Sequence, residues 1–95
     1  MSLYRRNAKR DQAEPSIIDA LLKAGADEVK QLSLEDWPDL LVLFHGQMYL
    51  GEVKTGRRKL SDGQGATITR LQARGYRVSV WRTPEDALQA IGACH

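Results

Sequence analysis

Residues 37–54 read WPDLLVLFHGQMYLGEVK, and this stretch decides the fold. The apolar run Leu40–Phe44 is typical of a short β-strand, residues 45–47 supply a turn that contains a glycine, and residues 48–54 continue as a partner strand. A connection this short joins antiparallel neighbours, whereas parallel strands need a crossover of about a dozen residues or more. The stretch therefore predicts an antiparallel hairpin.

Helices and further strands are predicted on both sides of the hairpin. The signals are apolar residues at helical spacing, alternating segments, and Ser, Thr, Pro and Gly at positions that cap helices. In chain order they predict a helix over residues 15–24, a strand over 29–34, the hairpin, a helix from the Ser61 cap to Gly75, a strand over 76–81 and a short helix between Thr83 and Gly92. The predicted fold class is α/β, a small mixed sheet flanked by helices in the order α-β-β-β-α-β-α.

Composition limits the classes of protein to which the chain can belong. The 95 residues are 42% hydrophobic and 27% charged, which predicts one globular domain over residues 1–95. The longest apolar run is far shorter than the roughly 20 residues of a membrane-spanning helix, and the first residues lack an apolar leader, so a cytoplasmic protein without membrane contact is predicted. One cysteine and two histidines cannot assemble a structural zinc site, so any metal must be held by oxygen.

Charge is divided unevenly along the chain. Residues 1–10 form a basic arm without an acidic residue, residues 11–39 contain eight acidic and two basic residues, and residues 40–95 contain eight basic and four acidic residues. Two basic zones around an acidic one suit a polyanion bound at the edges of a site where carboxylates hold a metal. Charge counts alone are also typical of a solvated surface of mixed charge.

Three residues of the predicted hairpin form a candidate catalytic set. Strand alternation points Glu52 and Lys54 to one face and Val53 to the other, and pairing of the strands brings Asp39 beside them. Two carboxylates can hold Mg²⁺ or Mn²⁺ by oxygen, and the lysine can place the attacking water, so the set predicts phosphodiester hydrolysis. The alternative is a solvated strand face with an ion pair, and Asp39 as a turn residue.

The same three letters occur twice in the chain. Glu28-Val29-Lys30 repeats the spelling of Glu52-Val53-Lys54, so the tripeptide by itself is not informative. Only the second copy follows a Pro-Asp pair across a strand, a turn and another strand. This context favours the second copy, because it alone has a partner carboxylate on a paired strand.

Trp37-Pro38-Asp39 followed by Glu52-Val53-Lys54 resembles the PD-(D/E)XK signature of metal-dependent nucleases, and the element order resembles their restriction-endonuclease-like α-β-β-β-α-β core. Within that superfamily the chain is most similar to the stand-alone phage and bacterial VRR-NUC proteins. The resemblance implies a homodimeric endonuclease that depends on Mg²⁺ or Mn²⁺, cuts branched DNA such as four-way (Holliday) junctions and acts in DNA repair or recombination. It implies metal ligation by Asp39, Glu52, the Val53 carbonyl and Glu14, and catalysis by Asp39, Glu52, Lys54 and Gln64.

Glu14 and Gln64 each have a structural alternative. Glu14 extends the apolar face of the first helix, but Pro15 disfavours helical geometry at the residue before it, which would leave the carboxylate in solvent. Gln64 fits the capping box opened by Ser61 equally well.

Basic residues near the predicted site are candidates for DNA contact through phosphate groups. They are Arg5, Arg6, Lys9 and Arg10 of the arm, Arg57, Arg58 and Lys59 of the loop after the hairpin, and Arg70 and Arg74 of the second long helix. The alternative functions are a non-catalytic nucleic-acid-binding module and an RNA endonuclease on the same scaffold.

Overall fold

The computed structural model of the protein describes residues 10–93. Within that range the chain forms three helices and four strands, and the four strands belong to one sheet. The elements are α1 (Glu14–Lys23), β1 (Glu28–Gln31), β2 (Leu40–Phe44), β3 (Gln47–Val53), α2 (Asp62–Ala73), β4 (Val78–Trp81) and α3 (Pro84–Ala90). This order confirms the predicted mixed α/β fold.

The sheet is built outward from the hairpin. β2 pairs with β1 and β3 in antiparallel fashion, and β4 is added parallel to β3 through the helical crossover α2. Phe44 pairs with Gln47, so the turn consists of His45 and Gly46, whose φ angles are 50° and 78°. Two residues with positive φ give the turn that matches the twist of paired strands.

The register of the hairpin brings Asp39 and Glu52 to the same end. Leu40 pairs with Gly51, so Asp39 and Glu52 are neighbours where the two strands end. Gly51 is required at its position because a Cβ atom there would overlap the Trp81 ring of β4. The close approach of β3 to β4 therefore helps to set the position of Glu52.

Helices cover both faces of the sheet. α1 and α3 pack on one face, where Ile17 and Trp81 belong to the larger apolar cluster, and α2 packs on the other through Ile68. Complete burial of an aliphatic side chain such as Ile17 contributes roughly 1.5–3 kcal/mol. Alternation along β3 sends Val53 into the α1 side and Glu52 toward α2.

The helix boundaries follow the capping residues. The Ser61 capping box opens α2, and the Thr83 hydroxyl accepts the N–H of Asp86 at the start of α3, as the sequence predicts. α1 begins at Glu14, one residue earlier than predicted, with Pro15 in its first turn, where a missing N–H has no cost. Within residues 10–93 no helix combines the length and the apolar character needed to cross a membrane.

Two predicted strands were too long. β1 ends at Gln31 and not at residue 34, because the chain leaves the ladder there and turns at Asp36, which has a φ of 60°. β4 begins at Val78 and not at residue 76, because the Tyr76 N–H donates to the Leu71 carbonyl and so belongs to the turn that ends α2. The turn at Asp36 and the hydrogen bond that ends α2 therefore override the local alternation.

Candidate active site

Four charged side chains are buried in the part of the chain that the structure describes. They are Glu14 (2% exposed), Asp39 (8%), Glu52 (1%) and Lys54 (9%), and Gln64 (8%) is buried with them. Removing a charge from water costs several kcal/mol unless other groups compensate it. All five residues are those that the sequence nominates as catalytic or metal-ligating. Their burial indicates a built site, because a solvated strand face would leave these groups exposed.

Backbone contacts hold Asp39 across the end of the hairpin. Its N–H donates to the Gly51 carbonyl at 2.9 Å, and its Oδ2 accepts the N–H of Val53 at 2.8 Å. The carboxylate is therefore locked against the residue that follows Glu52. Val53 itself is buried in the core on the opposite face, as strand alternation predicts.

Glu52 is held by one residue from its own strand end and one from α2. Lys54 Nζ lies 3.8 Å from Glu52 Oε2, and Gln64 Nε2 donates to the same oxygen at 3.3 Å. The Glu52 and Lys54 side chains point together as predicted, although β3 ends at Val53 and Lys54 lies one residue beyond it. Lys54 and Gln64 place a positive charge and an N–H donor next to the Glu52 carboxylate.

Gln64 performs both of the roles that its sequence position allows. Its side-chain Oε1 accepts the N–H of Ser61 at 2.9 Å, and its backbone N–H donates to Ser61 Oγ at 3.1 Å, which completes the capping box. Its side-chain Nε2 remains to donate to Glu52. The capping box therefore orients the Gln64 side-chain amide, and the hydrogen bond from this amide to Glu52 connects the start of α2 to the site.

Glu14 faces the interior, so the first of its two possible placements, on the apolar face of α1, is confirmed, and the alternative of a solvent-exposed residue was wrong. Its two carboxylate oxygens accept from Arg10 in a bidentate pair, with Nη2 to Oε1 at 2.5 Å and Nε to Oε2 at 2.7 Å. Such paired hydrogen bonds are among the strongest that side chains form. Glu14 is therefore engaged by an arginine that the sequence assigned to the basic arm.

Arg10 connects α1 to the other carboxylates. The hydrogen bond to Glu14 raises the pKa of Arg10 most, burial opposes the shift, and the negative charges of Glu14, Asp39 and Glu52 add to it. Because the Arg10 guanidinium interacts electrostatically with all three carboxylates, Arg10 and these carboxylates form one charged cluster. The sequence contains no local signal for the contact between Arg10 and the carboxylates, because Arg10 is one of several basic residues close together in the chain.

Asp11 is a further site-supporting residue that sequence reasoning missed. Its carboxylate accepts the Thr55 N–H at 2.9 Å, the Thr55 hydroxyl and the Ala13 N–H at 3.0 Å, and Arg58 Nη1 lies 3.4 Å away. Burial tends to raise the pKa of Asp11, but these hydrogen bonds and the Arg58 charge outweigh burial and lower it. An aspartate before a helix commonly accepts a hydrogen bond from the N–H two residues later, so the contact with Ala13 could be predicted from the local sequence. The contacts with Thr55, which is 44 residues away, could not.

The basic loop after Lys54 is held in place by Asp11 and Arg82. Arg82 donates to the carbonyls of Gly56 and Arg58 at 2.9 and 2.7 Å. A pocket of about 370 Å³ opens here, lined by Arg10, Asp11, Gln12, Thr55 and Arg58.

The other basic residues nominated for DNA contact lie on the surface or outside the described residues. The exposed ones are Arg57 and Lys59 in the loop, Arg70 on α2 and Arg74 at the C-cap of α2. Arg5, Arg6 and Lys9 lie outside the described residues. Arg58 is exposed and available beside its contact with Asp11.

The first Glu-Val-Lys copy lies elsewhere. Glu28 pairs with Leu43, at the opposite end of β2 from Asp39, and it is exposed. Its carboxylate forms an ion pair with Lys30 at 3.0 Å on the sheet edge. The structure thus brings Asp39 to Glu52 and not to Glu28.

The donor set fits a hard divalent cation. Within residues 10–93 no group of three or more His, Cys, Asp and Glu side chains is arranged to hold one metal ion. Mg²⁺, however, keeps several of its waters and is commonly bound through one or two carboxylates. Asp39 and Glu52 supply two carboxylates side by side, which is the chemistry that Mg²⁺ or Mn²⁺ accepts.

No known family model and no curated protein matches this chain. The VRR-NUC resemblance therefore stays a prediction. It depends on the signature residues around Asp39 and Glu52.

Proposed function

We propose that the protein is a Mg²⁺- or Mn²⁺-dependent DNA endonuclease that hydrolyses phosphodiester bonds. The observation that carries the proposal is the buried convergence of Asp39, Glu52 and Lys54 at one end of the β2–β3 hairpin. A non-catalytic binding module that used only surface charge would have no need to bury three charged side chains at such cost.

The residues divide the chemistry of hydrolysis between them. Asp39 and Glu52 would hold the cation, with the Val53 carbonyl as a further ligand. The Glu14 carboxylate, which the resemblance also nominates as a ligand, is paired with Arg10 on the α1 side of the site. When bound, the cation supplies Lewis-acid polarisation of the phosphoryl group and lowers the pKa of a coordinated water. Lys54 orients the attacking water and counters negative charge that develops on the phosphate. Gln64 keeps the Glu52 carboxylate in its orientation.

The reaction balances as a simple hydrolysis. The water oxygen forms a bond to phosphorus, the bond from phosphorus to the leaving oxygen breaks, and the proton that the water gives up is balanced by the proton that the leaving oxygen takes up from solvent. No oxidant or additional cosubstrate is needed, so the groups of this site suffice for each role apart from the cation itself.

The finer substrate assignment depends on the resemblance and on the basic residues. We propose branched DNA, such as a four-way junction, as the substrate, a cytoplasmic location and a homodimer that presents two active sites to two strands. The exposed basic groups of the loop and of α2 would contact phosphates on either side of the scissile bond. Light scattering of the purified protein tests the dimer, and a monomer would contradict it.

The decisive experiment offers several substrates under several metal conditions. The full chain is incubated with labelled four-way junctions, linear duplexes and structured RNA, in Mg²⁺, in Mn²⁺ and in excess chelator. We expect metal-dependent nicking of the junction and no product with chelator. Cleavage of the RNA alone would reassign the substrate, and the absence of product on every substrate would favour the binding module.

Substitutions connect the activity to the site. Asp39→Ala and Lys54→Ala should still bind the junction, because phosphate contacts elsewhere provide the affinity. Both should lose cleavage by about a hundredfold or more, the usual consequence of removing one electrostatic group from a transition state. Full activity in either variant would contradict the assigned roles.

A further inference from the structure

Arg10 has an unusually complete set of hydrogen bonds. A guanidinium has five N–H donors, and each donor of Arg10 meets an oxygen acceptor. The acceptors are both carboxylate oxygens of Glu14, the carbonyl oxygens of Leu32 and Asp39, and the hydroxyl oxygen of Ser33, at distances between 2.5 and 3.4 Å. No donor remains for a phosphate group while these contacts are in place.

The surroundings of Arg10 have the chemistry of a cation site. Five oxygen atoms, two of them from a carboxylate and two from backbone carbonyls, are the hard ligands that Mg²⁺ and Mn²⁺ prefer. The guanidinium lies between Glu14 on α1 and the Asp39 carbonyl at the start of β2. It therefore stands next to the Asp39 and Glu52 pair, on the side from which α1 approaches.

Charge balance in the cluster leaves room for one divalent ion. Glu14, Asp39 and Glu52 contribute three negative charges, while Arg10 and Lys54 contribute two positive ones. Arg10 pairs with Glu14, and Lys54 pairs with Glu52. A single divalent cation beside Asp39 would leave the cluster with a small positive charge suited to a phosphate, whereas a second ion would meet the guanidinium directly.

We propose that the Arg10 guanidinium takes the place of a second divalent cation, so that the site binds one metal ion per chain. This inference rests on the proposed function, because it concerns the ion held by Asp39 and Glu52. It assigns Glu14 to Arg10 and not to the metal, and it removes Arg10 from the residues that contact DNA. The contact of one Arg10 nitrogen, Nη2, with both the Glu14 carboxylate and the Asp39 carbonyl supports its place in the cluster.

Mn²⁺ binding to the full chain tests this without any measurement of activity. The electron paramagnetic resonance signal of unbound Mn²⁺ gives the number of ions bound, and isothermal titration calorimetry gives the same number independently. Wild type should bind one ion. Arg10→Gln, which keeps a polar side chain and loses the charge, should bind two, because the oxygen atoms around residue 10 and the Glu14 carboxylate become available.

Three further variants isolate the cause. Arg10→Lys restores the charge and should bind one ion. The double variant Arg10→Gln/Glu14→Gln removes the carboxylate together with the cation and should also return to one ion. Lys23→Gln is the matched control, because Lys23 pairs with Asp19 at the same helical spacing on α1 but in solvent. It should leave the number at one.

The number of bound ions distinguishes a failure of the role of Arg10 from a failure of the proposed nuclease function. Two ions bound to wild type overturn the role of Arg10 and leave the proposed nuclease intact. A single ion in folded Arg10→Gln, or two in Arg10→Lys or in the double variant, also overturns it. No ion bound to wild type contradicts the proposed function itself. If Arg10→Gln does not fold, the wild-type count still decides, and the double variant, which leaves no unpaired charge, checks the role of Glu14.

Discussion

Gln64 provides the sharpest test of the geometry, because its two functions can be removed separately. Ser61→Ala deletes the hydroxyl of the capping box and should cost about 1 kcal/mol of unfolding free energy, the usual value for an N-cap. Gln64→Ala deletes the cap partner of Ser61 and also the hydrogen bond from Nε2 to Glu52. A hydrogen bond to a charged group contributes roughly 1.5–3 kcal/mol.

Gln64→Ala should therefore lose about 2.5–4 kcal/mol of unfolding free energy, and the excess over Ser61→Ala reports the contact with Glu52. Urea denaturation followed by circular dichroism measures both variants, with equal m-values as the condition for comparing them. The excess should shrink to roughly 0.5–1.5 kcal/mol in a Glu52→Gln background, where the acceptor is no longer charged. Equal losses for Ser61→Ala and Gln64→Ala would refute the reasoning, since Gln64 would then act only as a cap.

Two further predictions concern groups that support the site. The lowered pKa of Asp11 means that its contribution to stability is present above the ordinary value of 3.8 and is lost as pH falls through the lower folded value. Asp11→Asn should therefore reduce stability at neutral pH and make stability decline less steeply below about pH 4. Urea denaturation at a series of pH values measures both effects. An acid profile identical to that of wild type would contradict the contacts with Thr55. Gly51→Ala should destabilise the fold by about 1–3 kcal/mol, because its Cβ would overlap the Trp81 ring. Gly65→Ala is its control, since nothing lies within 4 Å of a Cβ there and alanine favours a helix by about 0.5–1 kcal/mol; a stabilised Gly51→Ala would show that β3 and β4 are not so close.

The hairpin and the helix starts could be predicted because their signals are local. A glycine turn between two apolar runs determines the pairing of β2 and β3, and a serine followed by glutamine three residues later determines where α2 begins. From that pairing alone Asp39 and Glu52 must be neighbours. The nominated carboxylates and lysine are accordingly buried together in the structure.

The contacts of Arg10 and Asp11 could not be predicted because they join distant parts of the chain. Arg10 reaches Leu32 and Asp39, and Asp11 reaches Thr55, across separations that no local pattern encodes. Charge counting placed Arg10 in a basic arm, since the count cannot show which basic group folds back onto carboxylates. β1 ends early because the chain turns at Asp36, a short distance beyond the in-register hydrogen bond from the Leu32 N–H to the Asp39 carbonyl.

The central claim is that the second Glu-Val-Lys copy, and not the first, carries the chemistry. Cleavage of a labelled four-way junction in Mg²⁺ by Glu52→Ala and Glu28→Ala, measured side by side with wild type, tests it most directly. Glu52→Ala should lose cleavage by about a hundredfold or more, while Glu28→Ala, altered at an exposed sheet edge, should cut at the wild-type rate. Undiminished cutting by Glu52→Ala, or an equal loss in both variants, would contradict the site.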